Sequence, residues 1–182
     1  MSYLLLMLYY YFDTYESFLY LSNLVVGNRM MRDLYTFDMK KVTSYCKIFD
    51  NFLTQQSPDV LEYFKKNCIN TMTFSVDWFY TLFSRAFDVN IVRVIWDMFF
   101  LFGAQFLVRA GAALITILED EIFNEYMNEG FNFVRVRTGK LKISHILECS
   151  LSRGMDPDLF AVEIEKEYEE YSAPSKRHSA SK

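Results

Sequence analysis

Apolar residues recur along this chain at three- and four-residue steps, the spacing of one face of a helix. The clearest stripe is Val42, Tyr45, Cys46, Phe49, Phe52 and Leu53, which predicts a helix over 37–53 with Lys40, Lys41, Lys47 and Asp50 on its other face. Upstream, Asp13 and Glu16 form a capping-box pattern that starts a helix running through Val26 and ended by Gly27 and Asn28. Ser57 and Pro58 supply an N-cap and first turn for a short helix over 59–66, packed through Val60, Leu61 and Phe64. After a break at 67–71, helices are expected over 76–84 and 90–102. Phe87, Asp88 and Val89 divide them, Asp88 or Asn90 caps the second, and Gly103 closes it.

From Phe106 to Phe123 the pattern is apolar nearly all round, and Ala110, Gly111, Ala112 and Ala113 remove bulk so that a neighbouring helix can approach. That predicts a central buried helix. The stretch 131–137 alternates like a strand, but a lone strand has no partner here, so it reads as an extended connector. Asp156 and Pro157 then cap a final Glu-rich helix reaching about Tyr171, expected to be largely solvated.

Composition agrees with this pattern. With 18 Phe and 13 Tyr against 6 Gly and 3 Pro, long helices are favoured over a sandwich, and the expected class is all-α. A chain of 182 residues fits one domain that buries about 70% of its unfolded surface. The expected organisation is a helical domain over 1–130, a connector and helix of the same unit over 131–171, and a disordered tail over 172–182 that lacks apolar residues.

A net charge of -4 gives no general attraction to phosphate backbones, so nucleic acid is not an expected partner. Cys46, Cys68 and Cys149 are odd in number and widely spaced, which suits neither a disulfide framework nor a zinc site and points to a reducing cytosol. Only His145 and His178 could add imidazole ligands, and neither a metal nor a cofactor is expected. The opening MSYLLLMLYYYF has no basic residue before it and no small-residue cleavage pattern after it, and Asp13 ends it too early to span a bilayer. The apolar region 91–118 is interrupted by Arg93, Asp97 and Arg109, so no transmembrane segment is expected.

The chain offers little that resembles reaction chemistry. Thr138-Gly139-Lys140 lacks the glycine loop of a phosphate cradle. His145 and Cys149 lie four apart, but nothing marks an orienting group or oxyanion donors. Glu119, Asp120 and Glu121 read as a solvated helix end, and no catalytic residue is assigned. The most concentrated block is 74–97, FSVDWFYTLFSRAFDVNIVRVIWD, which joins both tryptophans to arginines and aspartates. A charge embedded among large apolar residues must be paired or lie at the rim, so Asp77, Arg85, Arg93, Asp97 and Arg109 are either structural ion pairs or a partner-facing patch. Trp78, Phe79, Arg85, Trp96, Asp97 and Arg109 are therefore the candidate structural or partner-binding residues.

DWFYTLFSR, then IWDMFFLFG, then FLVRAGAALITILEDEIF resemble the third conserved block and following helices of TBC domains, which are GTPase-activating domains for Rab-type small GTPases. The likeness extends back through Asp13, Glu16, Phe18 and Leu21 to Met1 and forward to about Phe123. It departs from the family at Asp88, where proline is common, and at Phe102, where an acidic residue is common.

The resemblance implies an all-helical fold and a Rab-type GTPase as partner. It also implies catalysis in trans, in which an arginine from an IxxDxxR motif stabilises the transferring phosphoryl group and a glutamine from a YxQ motif positions water. No Asp here is followed three positions later by Arg, and none of Gln55, Gln56 or Gln105 has Tyr two positions before it. Met1-Ser2-Tyr3-Leu4 resembles family sequence just after the glutamine block, so the expectation is a C-terminal portion of the domain. Such a chain would regulate or bind a small GTPase in membrane traffic, without autonomous activating power. It would be cytoplasmic or peripheral to endomembranes, and prone to self-association through exposed apolar surface. Two readings compete: a helical scaffold with no GTPase link, and a peripheral membrane protein whose N-terminal segment nevertheless lacks the Lys and Arg of interfacial helices.

Overall fold

A computed structural model describes residues 1–125, 142–151 and 157–172, and every described element is a helix. The all-α expectation is met. The connector expected at 131–137 lies outside the described residues, as does the tail expected at 172–182 except for Ser172, which ends a helix.

The first helices follow local capping. Helix α1 (Ser2–Tyr9) is apolar nearly all round and buries Leu4, Met7 and Leu8. It packs along α2 (Thr14–Gly27), which starts where the Asp13 side chain accepts the Glu16 N–H at 2.9 Å. Asn28 ends α2 and caps α3 (Arg29–Tyr35), its side chain accepting the Met31 N–H at 3.1 Å. Phe37 takes a left-handed φ of 56°, so α4 begins at Met39 behind an Asp38 cap, two residues later than the periodicity predicts.

Helix α4 (Met39–Gln56) buries Val42, Tyr45, Cys46, Phe49 and Leu53, the stripe read from the sequence. Ser57 does not cap α5 (Pro58–Lys66) with its side chain; its hydroxyl donates to Thr116 Oγ1 at 2.8 Å and ties α5 to α8. The next helix, α6, spans Met72–Thr81 and not 76–84, because the chain leaves it through two left-handed residues, Leu82 and Phe83. Helix α7 (Val89–Phe102) opens on Asp88, whose carboxylate accepts the Asn90 N–H at 2.9 Å, and closes at Gly103 with φ 72°.

Helix α8 (Ala104–Ile117) is the centre of the bundle: Gln105 through Ile115 are all buried. The single helix expected over 106–123 is divided at Leu118, after which α9 (Glu119–Glu125) continues. Helices α4, α6, α7 and α10 (Ile143–Leu151) all pack on α8. Helix α11 (Pro157–Ser172) lies along α4 and docks there through buried Phe160 and Ile164, while most of its other described side chains stay exposed, as its Glu content leads one to expect. No described helix is long and apolar enough to cross a membrane.

The α4–α8 contact depends on Gly111. A Cβ there would stand 3.1 Å from Phe49 Cε2 and 3.4 Å from Phe83 Cζ. The Phe49 ring cannot retreat, because it is fully buried and held edge-on by Phe74 and Phe79 at 6.1 and 5.9 Å. Gly111→Val is therefore expected to destabilise the fold by about 2–3 kcal/mol through overpacking, measured as a lower urea midpoint; an unchanged midpoint would mean that the helices can part without cost.

Candidate functional site

The block 74–97 forms α6, a tight turn and most of α7. Trp78 is fully buried and packs on Phe74, Phe83 and Phe87 with ring centroids 5.0, 5.3 and 5.6 Å away. The turn after α6 is a Schellman-type exit in which the Phe83 N–H donates to the Trp78 carbonyl at 2.8 Å. Two non-glycine residues in left-handed geometry cost roughly 1–2 kcal/mol each, so the turn needs support from elsewhere. Trp96 of α7 supplies it: its buried indole N–H donates to the Leu82 carbonyl at 2.9 Å.

The six candidate residues therefore divide by burial. Trp78 and Phe79 are fully enclosed, Trp96 is 5% exposed and Arg109 is 7% exposed, its guanidinium lying 5.0 Å over the Phe52 ring. Arg85 and Asp97 are exposed, as is Arg93. Arg85 donates to Asp77 at 2.6 Å and sits 5.9 Å over the Tyr3 ring, which joins the turn to α1. Buried and exposed members do not converge on one cleft; they form a core with an exposed charged rim.

The remaining sequence candidates show no activated chemistry. Burial and the adjacent Glu148 carboxylate push the Cys149 thiol up, opposite to what a nucleophilic thiolate needs. Glu119, Asp120 and Glu121 occupy the first turn of α9, where negative charge suits the helix dipole. No cluster of three or more His, Cys, Asp or Glu able to hold a metal occurs among the described residues.

Sequence reasoning missed a buried ionic network around Asp33. This carboxylate, 4% exposed, accepts from Lys41 Nζ at 2.7 Å and from the Tyr45 hydroxyl at 3.1 Å, and Arg29 Nε lies 3.8 Å away. Arg29 also pairs with Glu165, and Lys47 with Glu167 at 3.6 Å, which clamps α11 onto α3 and α4. The i,i+4 spacing of Arg29 and Asp33 was a usable local signal; the partners on α11 had none. Burial, then the Asp33 charge, push the Tyr45 hydroxyl far above its ordinary value.

These features define a helical protein module built around packing and a charged rim, with no enzymic constellation assembled among its described residues. The Rab-GTPase-TBC domain model matches residues 1–123, and the chain belongs to that family. It is 28% identical over 120 residues to "TBC1 domain family member 14" of Rattus norvegicus, covering 66% of this chain and 17% of that protein. It is 22% identical over 108 residues to "GTPase activating protein Gyp51" of Schizosaccharomyces pombe, covering 59% of this chain and 10% of that one. "Drainin" of Dictyostelium discoideum is 24% identical over 152 residues, covering 83% and 34% respectively. The chain thus spans about a sixth of the length of the rat relative and a third or less of the other two. No solved structure gives a significant match.

Two outcomes follow from the site. Trp96→Phe keeps a ring but strips the Leu82 carbonyl of its indole donor, so it should cost about 1–3 kcal/mol in chemical denaturation; no loss would show that the turn supports itself. Burial also pushes Cys46 from 9.0 up to about 11 and, with Tyr80 adding to it, Tyr35 from 10.0 up to about 12. Above pH 9 the unfolded chain loses these protons first and the native state holds more of them, so stability falls as pH rises. Urea midpoints should therefore drop between pH 9 and 11, and Tyr35→Phe should remove its share of the drop above pH 10.

Proposed function

We propose that this chain is a regulator of a Rab-type small GTPase in membrane traffic that binds the GTPase without activating it on its own. The family assignment supports the partner class, and the name of the fission-yeast relative, a GTPase activating protein, supports the same direction. The observation that carries the second half of the reading is the sequence itself: neither an IxxDxxR nor a YxQ motif occurs in it. A finger arginine is worth about three to five orders of magnitude in rate, so its loss separates binding from hydrolysis. Of the candidate arginines, Arg109 is buried with its guanidinium over the Phe52 ring and Arg85 is held by Asp77, so neither is poised for the role.

Binding on this reading uses the exposed rim of Arg85, Arg93 and Asp97, with Trp78, Phe79, Trp96 and Arg109 holding it rigid from inside. Cytoplasmic work at the surface of endomembranes accords with a Rab partner and with the lack of a membrane-spanning helix among the described residues. Exposed apolar side chains along α1 and α2, including Tyr10, Tyr15 and Phe18, supply a surface for self-association.

The test is capture of a panel of GTP- and GDP-loaded Rabs, run beside multiple-turnover GTP hydrolysis. The expected result is nucleotide-dependent capture, weakened severalfold by Arg85→Glu, with no gain in hydrolysis. Rapid turnover would overturn the binding-only reading, and capture that ignores the nucleotide, or no capture, would favour a helical scaffold.

A further inference from the structure

Helix α2 is apolar on two opposite faces. Ser17, Leu21 and Leu24 point inward and are buried, while Tyr15, Phe18 and Val26 stand on the other side at 73%, 66% and 69% exposure. Steps of three, four and four residues place these three and Ser22 in one stripe, with Leu19 beside it. Ser22, near the middle, is small and half-buried, and its hydroxyl already donates to the Phe18 carbonyl at 2.8 Å. The stripe therefore has a dip at its centre that a second helix can cover without stranding a polar group. Along its Tyr20 and Asn23 side the stripe adjoins an open apolar groove, whose walls include Phe12 and Phe100.

Charge on this face is arranged end to end. Asp13 and Glu16 stand at the start of α2, no other charge occurs before Arg29, and Arg29 and Arg32 follow its end. Two copies of α2 laid parallel would set acid against acid. Laid antiparallel about Ser22, each acidic end meets the other's basic end, and the helix dipoles attract. The area suits a pair as well: five rings about half exposed offer roughly 400–600 Å². Leu19 and Val26 bring the face close to the ~800 Å² that each partner contributes to a standard interface. A membrane surface is a poorer occupant, because interfacial helices carry Lys and Arg on their polar face and α1 and α2 have none.

We propose that this face pairs two copies of the chain through an isologous, antiparallel α2–α2 contact with its two-fold axis at Ser22. In that register Phe18 of one copy meets Val26 of the other. The pairing rests on the self-association proposed above and supplies its surface and geometry. It uses none of Arg85, Arg93 and Asp97, so capture of a GTPase neither requires nor disproves it.

Sedimentation of the full chain over a range of concentrations should show a monomer–dimer equilibrium. Phe18→Glu should weaken it about thirtyfold or more, the loss typical of a central interface aromatic, with circular dichroism unchanged because the ring is exposed in the single chain. In a Cys68→Ser background, which removes the exposed native thiol, Ser22→Cys should form a disulfide-linked dimer on mild oxidation, whereas Tyr15→Cys, away from the axis, should not. A chain that stays monomeric would overturn both the self-association and this pairing, and flotation of that monomer with phosphatidylcholine vesicles would assign the face to lipid. A dimer that tolerates Phe18→Glu, or one that cross-links through Tyr15→Cys and not through Ser22→Cys, would overturn the pairing and leave self-association standing.

Discussion

A helix with no solvated face must be surrounded, and that requirement on α8 organises the molecule. Gln105 to Ile115 are all buried, so every side of α8 needs a neighbour, and α4, α6, α7 and α10 provide them. The closest of these approaches is set at Gly111, where the Phe49 ring occupies the space that a Cβ would take. Once α4 is seated against α8, its outer face is fixed too. That face carries Lys47 and, with Arg29 of α3, receives α11 through Glu165 and Glu167. The inner layer is thus apolar and shape-driven, and the outer clamp is ionic.

The second constraint is the turn at Leu82 and Phe83. Left-handed geometry at two bulky residues is uphill, yet it lets α6 end early and turns Phe83 back into the core beside Trp78. Trp96 closes the loop by bonding the Leu82 carbonyl from α7. Both tryptophans of the chain are thus used on one turn, Trp78 by packing and Trp96 by a hydrogen bond. In one dimension the block reads as either a structural core or a partner-facing patch. In three dimensions it stabilises a strained reversal.

What was legible in the sequence was whatever depends on near neighbours. The α4 stripe, the Asp13 and Asp88 caps and the Gly103 stop are set by spacing and by local hydrogen bonds, and each appears where periodicity puts it. The start of α6 at Met72 was missed although Asn70 marks it, its side-chain oxygen accepting the Met72 N–H at 2.9 Å while Thr71 makes no cap bond. The break at Leu118 falls where the apolar run gives way to Glu119, Asp120 and Glu121, which form the first turn of α9, and a prediction that ran on to Phe123 passed over that signal. The docking of helix α11 was not legible, because its two buried apolar positions, Phe160 and Ile164, are diluted by glutamates whose partners lie more than a hundred residues away. The candidate residues are a group of aromatic and charged side chains in the sequence, and their division into core and rim is a tertiary fact.

That division bears on how a low-identity member of this family keeps its fold while its chemistry is free to vary. The packing terms that build the bundle, α8 in its cage and the Trp-supported turn, involve buried residues. Arginine fingers are the opposite case: they must be exposed, unengaged and aimed at another molecule, so they add little to the fold that displays them. A match over residues 1–123 therefore speaks to the architecture, and activity has to be argued from the groups that reach outward. Charged groups exposed on the block 74–97 include Arg85, engaged with Asp77 and lying over Tyr3, Asp88 at the α7 cap, and Arg93 and Asp97 of α7. On the proposed binding reading, this rim of mixed sign would steer and hold a partner, which needs complementary charge but no single group poised at a scissile bond.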